Sequence, residues 1–282
     1  MTPIFSVAFR LVVRKRLTIF SLFVSIAFLS CNNGNSYFTE NVNGVSFDMV
    51  LVEKGSFLMG TQATDINGEN YDPNAETDES PVHETVITKD YYIGKMEVTQ
   101  ALWSAVMNRD GDYSPPWSAT FGLEDNYPAY YVSWDDIQLF IKRLNAITGK
   151  KYRLPTEAEW EFAARGGSQS QGYKYSGSDS IADVAWYFEN SGNSSHEVGT
   201  KSPNELGIYD MSGNAWEWCQ DYYGAYSAEN QTHLHGVSTA SYRVVRGGGW
   251  RYNARYCRVS NRFKIIPDFR LFNLGFRLAC EN

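Results

Sequence analysis

Between residue 243 and the C-terminus the chain carries eight arginines, Arg243, Arg246, Arg251, Arg255, Arg258, Arg262, Arg270 and Arg277, set among glycines and apolar residues with few acids nearby. A guanidinium keeps its charge in a protein, and an unpaired charge in an apolar interior is costly. Such a segment either lies along a polyanion or is pinned by carboxylates and backbone carbonyls from elsewhere in the chain. The formal net charge of -7 argues against the first choice. A phosphate-tracking surface needs a positive field, so no nucleic-acid partner is expected. The arginines therefore read as structural forks.

The first residues look like an address. Arg10, Arg14, Lys15 and Arg16 precede Leu17–Leu29, an uncharged apolar run of 13 residues, shorter than the ~20 residues of a membrane span. The run closes on Phe28-Leu29-Ser30-Cys31, which resembles the lipobox of bacterial lipoproteins, followed by a polar Asn32–Ser36 stretch. The resemblance implies a signal peptide over 1–30, lipidation at Cys31 and a lipid-anchored tether over 31–43. Residues 44–282 then form one domain. The implied location is the bacterial cell envelope, on the outer membrane, facing the periplasm or the surface; an ordinary signal peptide or weak anchor helix is the competing reading. With Cys31 lipidated, Cys219, Cys257 and Cys280 remain, and one disulfide plus one free thiol is the simplest arithmetic in an oxidising compartment. Spacing does not say which two pair.

Val45–Met59 alternates apolar and polar residues and breaks at Gly55, which predicts a hairpin. The acidic stretch Thr61–Glu84 has no period and predicts a surface loop; alternation returns from His83 to Thr99. Thr99 predicts a cap for a helix reaching Met107, with Leu102, Trp103 and Val106 on one face. Ser133–Ile147 repeats the device with Asp136, Ile137, Phe140, Ile141 and Leu144. "YRLPTEAEWEFAARGG" holds the strongest local helix: Thr156 as cap, Glu159 completing a capping box, Trp160 and Phe162–Ala164 inward, Gly166-Gly167 as stop. Beyond Gly167 no long helix is expected, only irregular strands and loops.

"RLPTEAEWE" and "GNAWEW", together with "ESPVHETVITKDYYIGKMEVTQALW", "RVVRGGGW" and "NLGFRLA", resemble the sulfatase-modifying-factor family, which contains the formylglycine-generating enzymes. The resemblance covers Val45–Ala279 and implies an α+β fold: an elaborated C-type-lectin-like domain with little regular secondary structure. It also implies structural calcium, with Asp210 and Glu217 as carboxylate ligands and the carbonyls of Gly213 and Ala215 between them. Hard, closely spaced oxygens on an irregular loop suit that ion. The alternative is that Glu217 pairs with an arginine and Asp210 caps a turn.

Formylglycine-generating enzymes use copper, held by two cysteines five residues apart after an R-G-G-S-W segment. Here Tyr252 occupies the first position, only Cys257 is retained, and Gly249 replaces the serine. A phenol does not replace a thiolate at Cu(I), so copper-dependent formylglycine formation is not expected. If the chain is an enzyme, Cys257 is its candidate catalytic residue, acting with another metal on thiol substrates. Iron-dependent relatives use histidines, usually on an added helical domain; this chain has only His83, His196, His233 and His235. His233–His235 reads as a solvated loop.

Arg246–Ala279 also resembles the variable region of diversity-generating-retroelement target proteins, in which a fixed frame encloses rewritten positions. Arg246, Trp250, Ala254, Arg255, Cys257, Arg258, Ser260, Asn261, Arg262, Pro267, Asp268, Arg270, Asn273 and Gly275–Ala279 sit on the frame. Arg251, Tyr252, Tyr256, Phe263, Lys264, Ile265, Ile266, Phe269, Leu271 and Phe272 fall in the open positions, and Lys264 fits the codon pattern least. The resemblance implies a binding surface for a protein or glycan ligand, rich in aromatics that give contact area at small entropic cost. The competing reading places Phe263, Ile265, Phe269 and Phe272 in the core. A structural component of an envelope or motility assembly is a third functional class compatible with these features.

Overall fold

The computed structural model describes residues 37–107, 111–228, 231–232 and 240–281. Cys31, the expected signal and His233–His235 lie outside them. In chain order the strands and α-helices are β1 (Tyr37–Val42), β2 (Val45–Val52), β3 (Gly55–Met59), β4 (His83–Ile87), β5 (Tyr91–Gly94), α1 (Gln100–Val106), α2 (Trp134–Thr148), β6 (Tyr152–Arg153), α3 (Glu157–Ala164), α4 (Ile181–Val184), β7 (Trp216–Tyr222), β8 (Gln231–Thr232), β9 (Arg243–Arg246), β10 (Arg262–Ile265), β11 (Leu274–Gly275) and β12 (Ala279–Glu281). Among the described residues they form a five-stranded sheet in the order β1-β2-β5-β12-β6, a four-stranded sheet β10-β9-β7-β11 and a three-stranded sheet β3-β4-β8.

The helices are where local chemistry places them. Thr99 Oγ1 accepts from Leu102 N at 3.2 Å and starts α1. Reciprocal capping boxes, Ser133 with Asp136 and Thr156 with Glu159, start α2 and α3. Gly149 ends α2 in the left-handed region, and Gly166 follows the α3 terminus with φ +92°. Residues of α1 and α2 pack with strands of the five-stranded sheet around Trp103, Phe140 and Phe276. The α3 helix buries Trp160 and Phe162 in a second cluster. After Gly167 no described helix exceeds four residues, the length of α4 and of the 3-10 turn Ala254–Cys257.

Four expectations change. β2 and β3 do not form a hairpin with each other: β2 pairs with β1 and β5, whereas β3 pairs with β4. A β-carbon at Gly55 would lie 3.0 Å from the Phe162 ring, so the chain passes close beneath α3 there and crosses between sheets. Tyr37–Val42, assigned to the tether, is the edge strand of the five-stranded sheet, because its residues pair in register with Val45–Val50. The acidic loop is not wholly at the surface, since Glu79 is fully buried. The three described cysteines are all free and buried. They belong to three different apolar clusters, which keeps the expected disulfide from forming.

Candidate functional site

The C-terminal arginines fork onto carboxylates from the rest of the chain. Arg258 donates to Glu79 Oε2 at 2.7 Å, and Ser260 Oγ and Asn261 Nδ2 join the same carboxylate at 3.0 Å each. Arg262 grips Glu157 through Nε at 2.8 Å and Nη2 at 2.7 Å. Arg246 pairs with Glu161 and donates to the carbonyls of Val259 and Ser260 at 3.0 Å each. Arg277 holds Glu217 at 2.6 Å through two nitrogens, and Arg270 holds Asp136 at 2.6 and 2.8 Å. Burial opposes ionisation of Glu161, but Arg165 and Arg246 outweigh it and hold the carboxyl below its ordinary value. Asp136 is lowered in the same way, burial being overcome by Arg270 and Ser133. Gly248 completes the frame at φ +74°, where a β-carbon would strike Cys257 Sγ at 2.7 Å.

Between these anchors the open positions divide. Arg251, Phe263, Lys264, Ile266 and Phe269 are exposed, and Tyr252, Tyr256, Leu271 and Phe272 are half-buried. Ile265 is not part of the face: it is 7% exposed and packs in the main core, on the same side of β10 as Phe263 but deeper, while Phe263 lies at the edge of that core against Trp216 and Ile266 follows the end of the strand. The core reading thus holds for Ile265 and not for Phe263 or Phe269, which are 46% and 49% exposed.

The aromatic part of the face rests on Trp216, whose ring lies 5.5 Å from Tyr252 and 5.9 Å from Phe263, with Tyr256 5.4 Å from Tyr252. Lys264 points to the opposite side of β10, its ammonium 4.9 Å from the Tyr223 ring and 5.6 Å from that of Tyr242. Phe272 is drawn against Phe121 and Tyr131 at 4.5 Å each. Sequence reading missed Phe188, which is 56% exposed and whose backbone N–H donates to Tyr252 O at 2.9 Å. Nothing local in "WYFENSG" marks it.

Of the residues expected to hold calcium, Glu217 is engaged by other partners. Glu217 Oε2 accepts from Trp160 Nε1 as well as Arg277, each at 2.6 Å, and Oε1 accepts a second Arg277 nitrogen. Its charge is matched by a guanidinium, so in this arrangement Glu217 does not fit as a calcium ligand. The arginine-pair alternative describes it. Asp210 Oδ2 accepts from Gly199 N at 2.6 Å, while Oδ1 is buried without a hydrogen-bond partner. Gly213 N bonds Gly247 O and Ala215 N bonds Glu97, so the intervening loop is tied into the frame. Glu97, unnoticed in the sequence, is buried beside this group. Burial first, then Asp210 and Glu217, push its carboxyl well above the ordinary range. Burial also raises Asp210, to about 6.

Copper does not fit either. Tyr252 stands where a second thiolate is needed, and burial pushes the Cys257 thiol up to about 12 against a weak opposing contact from the Gly249 N–H. Among the described residues no group of three or more histidines, cysteines or acids could hold a metal ion.

Mixed strands and short helices, a C-terminal strand inserted between β5 and β6, and a loop-rich half locked by buried ion pairs define an α+β domain of the C-type-lectin-like kind. The chain belongs to the family described as the sulfatase-modifying factor enzyme 1-like domain, which it matches over residues 37–282. It is 31% identical to the chaperone protein LppX of Paenibacillus barcinonensis, over 87% of this chain and 92% of that protein. It is 30% identical to the formylglycine-generating enzyme of Streptomyces coelicolor, over 82% and 88%. Among solved structures it is similar to Treponema denticola variable protein 1, with a TM-score of 0.73 and 30% identity over 87% of this chain and 99% of that one.

Proposed function

We propose that this protein is a binding protein that performs no catalysis, presenting a diversifiable face on a sulfatase-modifying-factor-type scaffold to a protein or glycan ligand. The observation that carries this reading is the division within one segment. The frame arginines Arg246, Arg258, Arg262 and Arg277 are buried on carboxylates, while Phe263, Ile266 and Phe269 between them are exposed. Replacing an exposed side chain there removes no partner of a buried charge. The similarity to a variable protein of Treponema denticola supports the reading, as does a relative named as a chaperone, a class that works by binding other proteins.

The face consists of Arg251, Tyr252, Tyr256, Phe263, Ile266 and Phe269, with Leu271, Phe272 and the neighbouring Phe188 at its margin. Half-exposed aromatics over a fixed tryptophan give contact area with little rotamer entropy to lose. Lipidation at Cys31 would display the face at a bacterial envelope, on the outer membrane; metabolic labelling with a palmitate analogue, lost in Cys31→Ser, tests it. The decisive observation is genomic. A reverse transcriptase beside the gene, with a near-copy of the codons for residues 246–279 differing mainly at adenines, is expected, and absence of both overturns the diversification. A thiol-directed oxidoreductase built on Cys257 predicts copper or iron retained in proportion to that thiol.

A further inference from the structure

A cavity of about 330 Å³ opens between β2, the Gly94–Thr99 connection and α1, and none of residues 246–272 lines it. Its inner wall is aliphatic: Met49, Val98, Leu102 and Leu278 are each at most 3% exposed. That size and lining match small-molecule sites, which are mostly apolar with a few placed polar groups. A water's share of liquid volume is about 30 Å³, so the space holds roughly ten non-hydrogen atoms.

The polar groups of the wall are unequal in charge. At the rim, Lys95 Nζ lies 3.4 Å from Asp48 Oδ2, and these two cancel. The third ionisable residue of the wall, Glu97, is 3% exposed. Its carboxyl accepts only neutral donors, Asn214 Nδ2 at 2.7 Å and Ala215 N at 3.0 Å. Asp210 and Glu217, which do not line the cavity, act on it electrostatically, and the guanidinium among them, Arg277, is forked onto Glu217. Three buried acids therefore share one guanidinium beside an apolar cavity, and Glu97, with no cation of its own, keeps its proton above the ordinary carboxyl range. A hard metal ion needs six to eight oxygens, which an aliphatic wall does not supply.

We propose that this cavity binds a small organic cation, an ammonium on a compact apolar body of about ten non-hydrogen atoms, with its charge toward Glu97. The body takes the place of water against Met49, Leu102 and Leu278, where apolar burial favours it, and the ammonium supplies the positive charge beside which Glu97 can ionise. This site is separate from the aromatic face and stands whether or not that face is diversified.

Calorimetric titration of the full chain at neutral pH with 2-phenylethylammonium, its neutral isostere 2-phenylethanol and 3-phenylpropionate tests it. The expected order is ammonium at least tenfold tighter than the alcohol, with no binding of the carboxylate. Ala101→Trp, at the rim, should abolish binding with the melting temperature kept, and Glu97→Gln should reduce the ammonium to the affinity of the alcohol. Should Glu97→Gln not fold, the wild-type ranking decides. Equal affinities, a preference for the carboxylate, undiminished binding to Ala101→Trp, or displacement of the ammonium by calcium ions would each overturn the proposal.

Discussion

Residues 257–262 and residues 263–272 are neighbours in one segment, yet the first six are all buried and the next ten are mostly at the surface. In the first stretch Arg258, Ser260, Asn261 and Arg262 each answer a carboxylate more than a hundred residues away. In the second, Arg270 alone is forked onto a carboxylate, Asp136, and it is half-exposed. The contrast teaches where variation is tolerated. A side chain that answers no buried charge can change without leaving that charge unpaired.

The largest expected effect comes from breaking the first stretch. Glu79→Gln leaves Arg258 buried with only the more distant Asp72, 3.8 Å away, as counter-charge, which should destabilise the fold by ~3–5 kcal/mol in denaturant unfolding; a loss below about 1 kcal/mol would show that the frame is not held this way. Next is the adjacent pair at the boundary. Ile265→Ala should cost ~2–4 kcal/mol and Ile266→Ala under about 0.5 kcal/mol, so similar values at both positions would erase the boundary.

A third test uses pH. Glu161 and Asp136 titrate below their ordinary values in the fold, so their contribution is present above those values and is lost as pH falls through the lowered ones. Glu97 and Asp210 have the opposite sign: their contribution is full below the ordinary carboxylate range. It declines as pH rises through the raised values, about 6 for Asp210. Thermal stability should therefore be greatest in mildly acidic solution, and Glu97→Gln should flatten the decline towards neutral pH. Smaller still, Phe269→Ala should leave stability within about 0.5 kcal/mol while weakening ligand binding by roughly 1–2 kcal/mol. Smallest of all, chelating calcium should shift the melting temperature less than Glu217→Gln does, since Glu217 is answered by Arg277.

Much of this was legible in order along the chain. Capping residues and helical spacing located all three longer helices, because those signals act within four residues. The arginine forks were legible as a kind of interaction, since a guanidinium in an apolar segment must be answered; their partners were not. Glu79 sits in an acidic stretch that reads as surface, and only the fold carries it inward to Arg258. The hairpin failed for a similar reason: a period of two marks a strand and does not name its neighbour. Phe188 joins the candidate face through a single backbone hydrogen bond to Tyr252, which leaves no trace in composition or spacing.

What the amino acids settled alone was the existence of the helices, the need to neutralise the C-terminal arginines and the contrast between frame and contents. What tertiary structure decided was which carboxylate meets which arginine, that Ile265 turns inward while Ile266 does not, and that Glu97, Asp210 and Glu217 crowd around one guanidinium. Capping and periodicity are local energies written in neighbouring residues, whereas burial and charge pairing depend on distances that arise only when remote segments are brought together.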